Sequence, residues 1–291
     1  MPTHGPTSRS LPFSRSRSFR PVRHLALSLL LAAAGPLSAA TISVPNGSFE
    51  GPVVIPTPGD ESTYVSININ SWTDLPNPAP GFITEAQWNQ GTGIFPNTPS
   101  GFFNSITNID GNQAMYLFSG NGAGIYQDLS SPDAKFSIGQ SYQFTLGVRP
   151  GGSQDEQTME VFPVLRDGDK MSIAIYYRND QNEIVPLAVR EITFTLAGLP
   201  YSNFLTDFTA STDVVQAGDA WAGKSIGLMI FSTTPFNSFD PNPNNRPTGY
   251  WDMDNVRLAA IPEPGAATLL ALGLATLGLS RRRRQQPLAT A

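Results

Sequence analysis

The sequence predicts an all-β protein, an antiparallel β-sandwich, on three observations. Gly and Pro, 26 of each in 291 residues, cut the chain into short runs. Those runs alternate apolar and polar residues, and helical periodicity is nearly absent. Turn residues recur at the spacing of consecutive short strands, eight to ten of them in all. Gln113 to Asp128 (QAMYLFSGNGAGIYQD) reads strand, Ser-Gly-Asn-Gly turn, strand. Ser141 to Val148 alternates with Tyr142, Phe144 and Leu146 on one face. Met159 to Leu165 continues the pattern, and Asp167-Gly168 supplies a hairpin turn into Lys170 to Tyr177. That last run places Met171, Ile173, Ile175 and Tyr177 on one side, and Asn179 to Asn182 turns the chain into Glu183 to Leu196. Phe204 to Ala210, Lys224 to Ser232 and Gly249 to Leu258 complete the series, with Pro235 to Pro247 as a proline-rich loop. The stretch Trp72 to Pro99 fits no pattern.

The two ends differ from this body. Met1 to Arg23 has five arginines and no acid; Leu25 to Ala34 is apolar; Ser38-Ala39-Ala40 follows. A positive region, a short apolar core and small residues predict a secretory signal cut after Ala40, and ten apolar residues fall short of the roughly 20 that span a bilayer. At the other end Pro262-Glu263-Pro264 precedes an apolar run, Gly265 to Ser280, and the cluster Arg281, Arg282, Arg283, Arg284. The apolar run lies at the lower limit for a membrane span, and the arginines would stay on the cytoplasmic side. The chain therefore divides into a signal (1–40), a sandwich domain (41–260), a tail (261–284) and a short polar end (285–291).

Composition narrows the chemistry. Both histidines, His4 and His24, lie in the signal, and the chain has no Cys. The body thus excludes Ser-His-Asp and Cys-His catalysis, His-ligated zinc and disulfides. Nine of the 18 basic residues sit before the cut or in the Arg281 to Arg284 cluster, while all 23 acids lie between Thr41 and Pro264, which leaves that mature region nine bases against 23 acids, a net −14. Such a body is a poor partner for nucleic acid. What remains is oxygen-ligand metal binding, carboxylate chemistry and aromatic stacking. Glu85, Asp155, Glu156 and Glu160 show no spacing that marks the catalytic carboxylate pair of a glycosidase, so the sequence points away from an enzyme.

Two resemblances add to this reading. The ordered set of Pro262-Glu263-Pro264, apolar run and Arg281 to Arg284 resembles the PEP-CTERM sorting signal, a tail also labelled after ice-binding proteins. That resemblance implies transient membrane anchoring after passage through the secretion translocon. An exosortase then removes the tail, and delivery is to the surface or matrix of a Gram-negative cell, often beside exopolysaccharide. The body opens Asn46-Gly47-Ser48-Phe49-Glu50 and closes Trp251-Asp252-Met253-Asp254-Asn255-Val256-Arg257-Leu258, with Gly111 to Leu117 between. These fragments look like galactose-binding-like jelly rolls, including carbohydrate-binding modules. In that family the first and last strands lie close, and some members hold structural calcium there. The resemblance puts Glu50 and Asp254 at the matching positions, with Asp252 a weaker candidate on the same face.

The expected role is therefore a non-catalytic structural or adhesive protein of the envelope or matrix, with weak glycan contact. A dedicated carbohydrate-binding module is the alternative, and a carboxylate glycosidase a minor one. Trp72, Trp88 and Tyr250 are the candidate glycan-binding rings, with Phe95, Phe102 and Phe103 nearby in sequence, whereas Trp221 and Trp251 read as core.

Overall fold

In the computed structural model, residues 39–263 are described apart from 60–63, 79, 81–83, 103, 121, 156 and 235–248. They belong to a unit spanning Ser38–Glu263. The tail candidates Pro264 and Arg281 to Arg284, the apolar run between them and the signal as far as residue 38 lie outside the described residues. Among the described residues no helix is long and apolar enough to cross a membrane.

Thirteen strands form among the described residues: β1 (Ala40–Ile42), β2 (Thr73–Asp74), β3 (Thr92–Pro96), β4 (Gln113–Phe118), β5 (Gly124–Asp128), β6 (Gln140–Pro150), β7 (Gly152–Gln154), β8 (Val161–Pro163), β9 (Lys170–Arg178), β10 (Ile184–Thr193), β11 (Thr206–Ser211), β12 (Gly227–Ser232) and β13 (Tyr250–Pro262). The first sheet runs β11-β6-β13-β4-β3, with β1 also on β13; the second runs β10-β9-β12-β5-β2. All pairings are antiparallel. The chain is thus an all-β, antiparallel sandwich, and it crosses between the layers repeatedly: β4 to β5, β5 to β6, and at every step from β10 to β13.

Alternation along the strands sends one face of each sheet into a shared core. Tyr142, Phe144, Leu146 and Val148 of β6 and Trp251, Met253 and Leu258 of β13 meet Met171, Ile173 and Ile175 of β9 and Leu228 and Ile230 of β12. Burying one such side chain is worth about 1.5–3 kcal/mol, so the long strands carry most of the stability. Trp251 is fully buried, and Trp221 packs partly buried against the core through Phe136.

Three sequence expectations change. Gln113 to Asp128 does form two strands, but β4 and β5 lie in different sheets; after β4 Gly120 N–H turns back to Phe118 O, and before β5 Gly122 N–H bonds Ser232 O. The Met159 to Leu165 run yields only β8, which pairs with β7 in a separate two-stranded sheet rather than with β9. Asp167-Gly168 still turns the chain into β9, with Gly168 at φ +93° and its N–H on Phe194 O. The unassigned stretch contains β2, β3 and one helical turn, α1 (Glu85–Trp88), started by a Thr84–Gln87 capping box.

Candidate functional site

The outward face of the first sheet carries the chemistry. On β13 Trp251 and Met253 point into the core, so Tyr250, Asp252 and Asp254 point away from it. Such a face is ordinarily solvated. Here two covering segments, 97–112 and 199–205, close over it, and Asp252 and Asp254 are 2% and 0% exposed. Thr107 N–H donates to Asn203 O at 2.9 Å, and the Asn108 side chain bonds both backbone groups of Leu205 at 2.8 and 3.0 Å. Ile106 and Leu205 then pack on Ala114 of β4.

Arg149 of β6 lies directly opposite Asp252. Its guanidinium meets the Asp252 carboxylate through Nη2 at 2.9 Å and Nε at 3.0 Å. It also donates to the backbone oxygens of Asn104, Ser105 and Ser202, and stacks 5.4 Å from the Tyr201 ring. Asp252 Oδ1 is buried and has no hydrogen-bond partner. Burial outweighs Arg149 and pushes this carboxyl up to about 6. With Arg149 balancing its charge, Asp252 is the acid of an ion pair, which corrects its place among the metal candidates.

Around this pair runs a line of rings. Phe95 lies 6.5 Å from Tyr116, Tyr116 5.4 Å from Phe118 at 72°, and Phe118 5.9 Å from Tyr250 at 69°. Glycines make room for them. A Cβ at Gly151 would sit 2.2 Å from the Tyr250 ring, one at Gly152 2.1 Å from the Tyr201 ring, and one at Gly93 2.5 Å from the Tyr116 hydroxyl. Burial, with Asp252 second, raises Tyr250 to about 12. On the covering segments Phe102 and Phe204 are 60% and 59% exposed.

A second acidic cluster lies where the N-terminal segment meets β13. Glu50 Oε1 accepts from Asn112 N–H and Gln113 N–H, each at 2.7 Å, and Asp254 Oδ2 accepts from Asp110 N–H at 2.6 Å. Gly111, at φ +102°, brings the backbone so near that a Cβ would lie 2.5 Å from the Glu50 carboxyl. Asp254 Oδ1 is buried with no partner. Its carboxyl is raised to about 7, chiefly by burial, with added repulsion from Asp110 and Glu50. Among the described residues no group of three or more His, Cys, Asp or Glu is arranged to hold a metal ion. Glu50 and Asp254 nonetheless offer hard oxygen donors, one of them unpartnered, and a cation there would draw its remaining ligands from backbone oxygens.

The remaining candidates divide. Tyr250 joins the ring line. Trp72 and Trp88 are core residues, which corrects their assignment as stacking platforms. Trp72 packs 5.8 Å from Phe49 with its N–H on Asn46 O, and the Trp88 N–H reaches Leu75 O at 2.8 Å. Ala40 opens β1 opposite Ala260, Pro262 closes β13, and the Glu263 N–H donates to Gly139 O. Sequence reasoning missed Arg149, Tyr116, Phe118, Tyr201 and Phe204. For Arg149, Tyr116 and Phe118 the only signal was a charge or a ring at an outward position of a strand; Tyr201 and Phe204 lie on a covering segment and had none.

No family model and no curated protein matches the chain. Solved structures share its fold. The chain resembles a cyclase from Fischerella sp. TAU (TM-score 0.53, 17% identity, 77% of this chain and 98% of that one). It also resembles a Stig cyclase from the same organism in complex with (3Z)-3-(1-methyl-2-pyrrolidinylidene)-3H-indole (0.52, 19%, 77% and 99%). A structure described as CBM4 structure and function matches more remotely (0.36, 10%, 75% and 99%). At these identities the cyclases show the fold alone. They still overturn one expectation: enzymes are built on this sandwich, so the chain is not set apart as non-catalytic by its fold.

Proposed function

We propose that the chain is an exported protein, sorted to the cell surface or matrix through its C-terminal tail, whose sandwich binds a glycan on the outward face of the first sheet. The ring line from Phe95 to Tyr250, roofed by segments that expose Phe102 and Phe204, is the observation that carries the binding reading. Flat rings stack on sugar faces, and a net-acidic surround suits a neutral polymer such as exopolysaccharide. The frequent crossing between layers supports the jelly-roll, galactose-binding-like relation. For export, the support is the agreement between the folded unit, Ser38–Glu263, and the two expected cuts at Ala40 and Pro262-Glu263-Pro264. Signal peptidase and an exosortase are the implied processing partners. Calcium bound by Glu50 and Asp254 would tie the N-terminal segment to β13.

A glycan array probed with the secreted sandwich tests the binding. The double variant Phe102→Ala/Phe204→Ala removes two exposed rings at little folding cost and is expected to weaken retention at least tenfold, an effect of about 1.4 kcal/mol. Retention unchanged in that variant and in Tyr250→Ala would refute the assignment. The unpartnered Asp252 oxygen favours a second reading, a planar ligand bearing an N–H donor. Calorimetric titration with 4-(1H-indol-3-yl)butan-2-one, bound in another Fischerella cyclase structure, separates the two.

A further inference from the structure

The last strand carries the start of the tail motif into the sheet. β13 pairs with β6 to its end, Ile261 opposite Ser141 and Pro262 opposite Gln140. One residue further, Glu263 N–H donates to Gly139 O at 3.0 Å. The receiving turn is itself held: Gly139 N–H reaches Val215 O, Val215 N–H reaches Gln140 O, and the Tyr142 hydroxyl bridges Ser137 N–H and Lys135 O at 2.7 Å each. On the other side β1 reaches only to Ala40, opposite Ala260.

A protease cleft takes its substrate as an extended segment whose backbone groups bond to the enzyme. Groups already committed to a sheet are not free to do so until the strand end opens. We propose that closure of β13 onto β6 withholds Pro262 and Glu263 from the protease that removes the tail, so that tail removal and completion of the fold compete for the same two residues. This rests on the sorting reading above. The attachment is short and at a strand end, where local opening is easiest, so the sandwich acts as a brake on cutting rather than a block.

The test is a pulse–chase of the full chain in its own host, with tail loss followed by mass. A six-residue Gly-Ser insertion between Ile261 and Pro262 lifts the motif off β6. Gly139→Val, at φ +81° with open space around its Cβ, strains the receiving turn while leaving motif and tail untouched. Both variants are expected to lose the tail roughly three- to tenfold faster than wild type, the scale of one or two backbone hydrogen bonds. Melting of the secreted products checks that the sandwich still folds. If wild type is cut and the insertion variant is cut no faster, the competition is wrong and the sorting reading stands. A wild-type chain that keeps its tail in every fraction overturns the sorting reading and the competition with it.

Discussion

Asp254 makes the proposed cation site measurable without knowing any partner. Its carboxyl is raised from 3.8 to about 7, first by burial and then by Asp110 and Glu50. A raised acid holds a proton in the folded state that the unfolded chain has released. Without a cation, stability is therefore highest below about pH 4 as far as this group is concerned, and falls as pH rises to about 7. Across that window the loss amounts to about 4 kcal/mol. A divalent ion would reverse that loss by offsetting the charge, and because it displaces the proton its effect should grow through the same window. At calcium a hundredfold above its dissociation constant the gain is about 2.7 kcal/mol. For a domain of this size that moves the melting temperature by about 5–10 °C. The assay is calorimetry of the secreted sandwich in calcium or chelator at pH 8 and at pH 5.5. The shift should appear at pH 8, shrink at pH 5.5, and vanish in Asp254→Asn, whose cation-free form should melt no lower than wild type at pH 8. A melting temperature indifferent to calcium at pH 8, or an Asp254→Asn protein that still responds, refutes the reasoning.

Other outcomes follow from single contacts. Arg149→Met strands the buried Asp252 carboxylate and should cost about 3–5 kcal/mol by denaturant titration, whereas Arg149→Met/Asp252→Leu should recover most of it. Gly152→Ala drives a methyl into the Tyr201 ring, so ligand retention should fall with a change in melting of only a few degrees; unchanged retention would remove Tyr201 from the site. Tyr142→Phe leaves Ser137 N–H and Lys135 O without the hydroxyl that bridges them and should cost about 1–3 kcal/mol, read as a lower unfolding midpoint at constant slope.

The long strands were legible because their pattern is long. β6 and β9 repeat inward apolar residues four and three times, enough to fix both identity and facing. β2 has two residues and α1 four, too few for any period to show. The failed site residues share one cause. Trp72 sits in irregular backbone and Trp88 at the end of a single helical turn, where no period says which way a ring turns, and both turned into the core to bury it. Arg149 was hidden for the opposite reason. Its outward direction follows from the strand, but the segments that bury it come from residues 104–105 and 202, separated from it in sequence by about 45 and 53 positions. Tyr250 differs from Trp72 and Trp88 in having an outward strand position, at the start of β13.

The position of the acids on β13 has a structural origin. This strand changes partner midway: it pairs with β4 through Met253 and with β1 from Leu258 onward, and its register against β6 slips between Asp254 and Arg257, with Asn255 at φ 61°. A bulge of this kind leaves backbone groups without ladder partners and re-aims side chains. Here the gap is filled by two segments distant in sequence. Val256 N–H bonds Gly47 O, the Asn255 side chain reaches Asn108 O, and Asp254 takes Asp110 N–H. Glu50 then ties the first filling segment to the second through Asn112 and Gln113. The segment that crosses the gap at Asp110 is the same one that, a few residues earlier, roofs Arg149 and exposes Phe102. A cation between Glu50 and Asp254 would therefore fix one end of the roof over the ring line, and calcium should tighten ligand retention as well as raise the melting temperature.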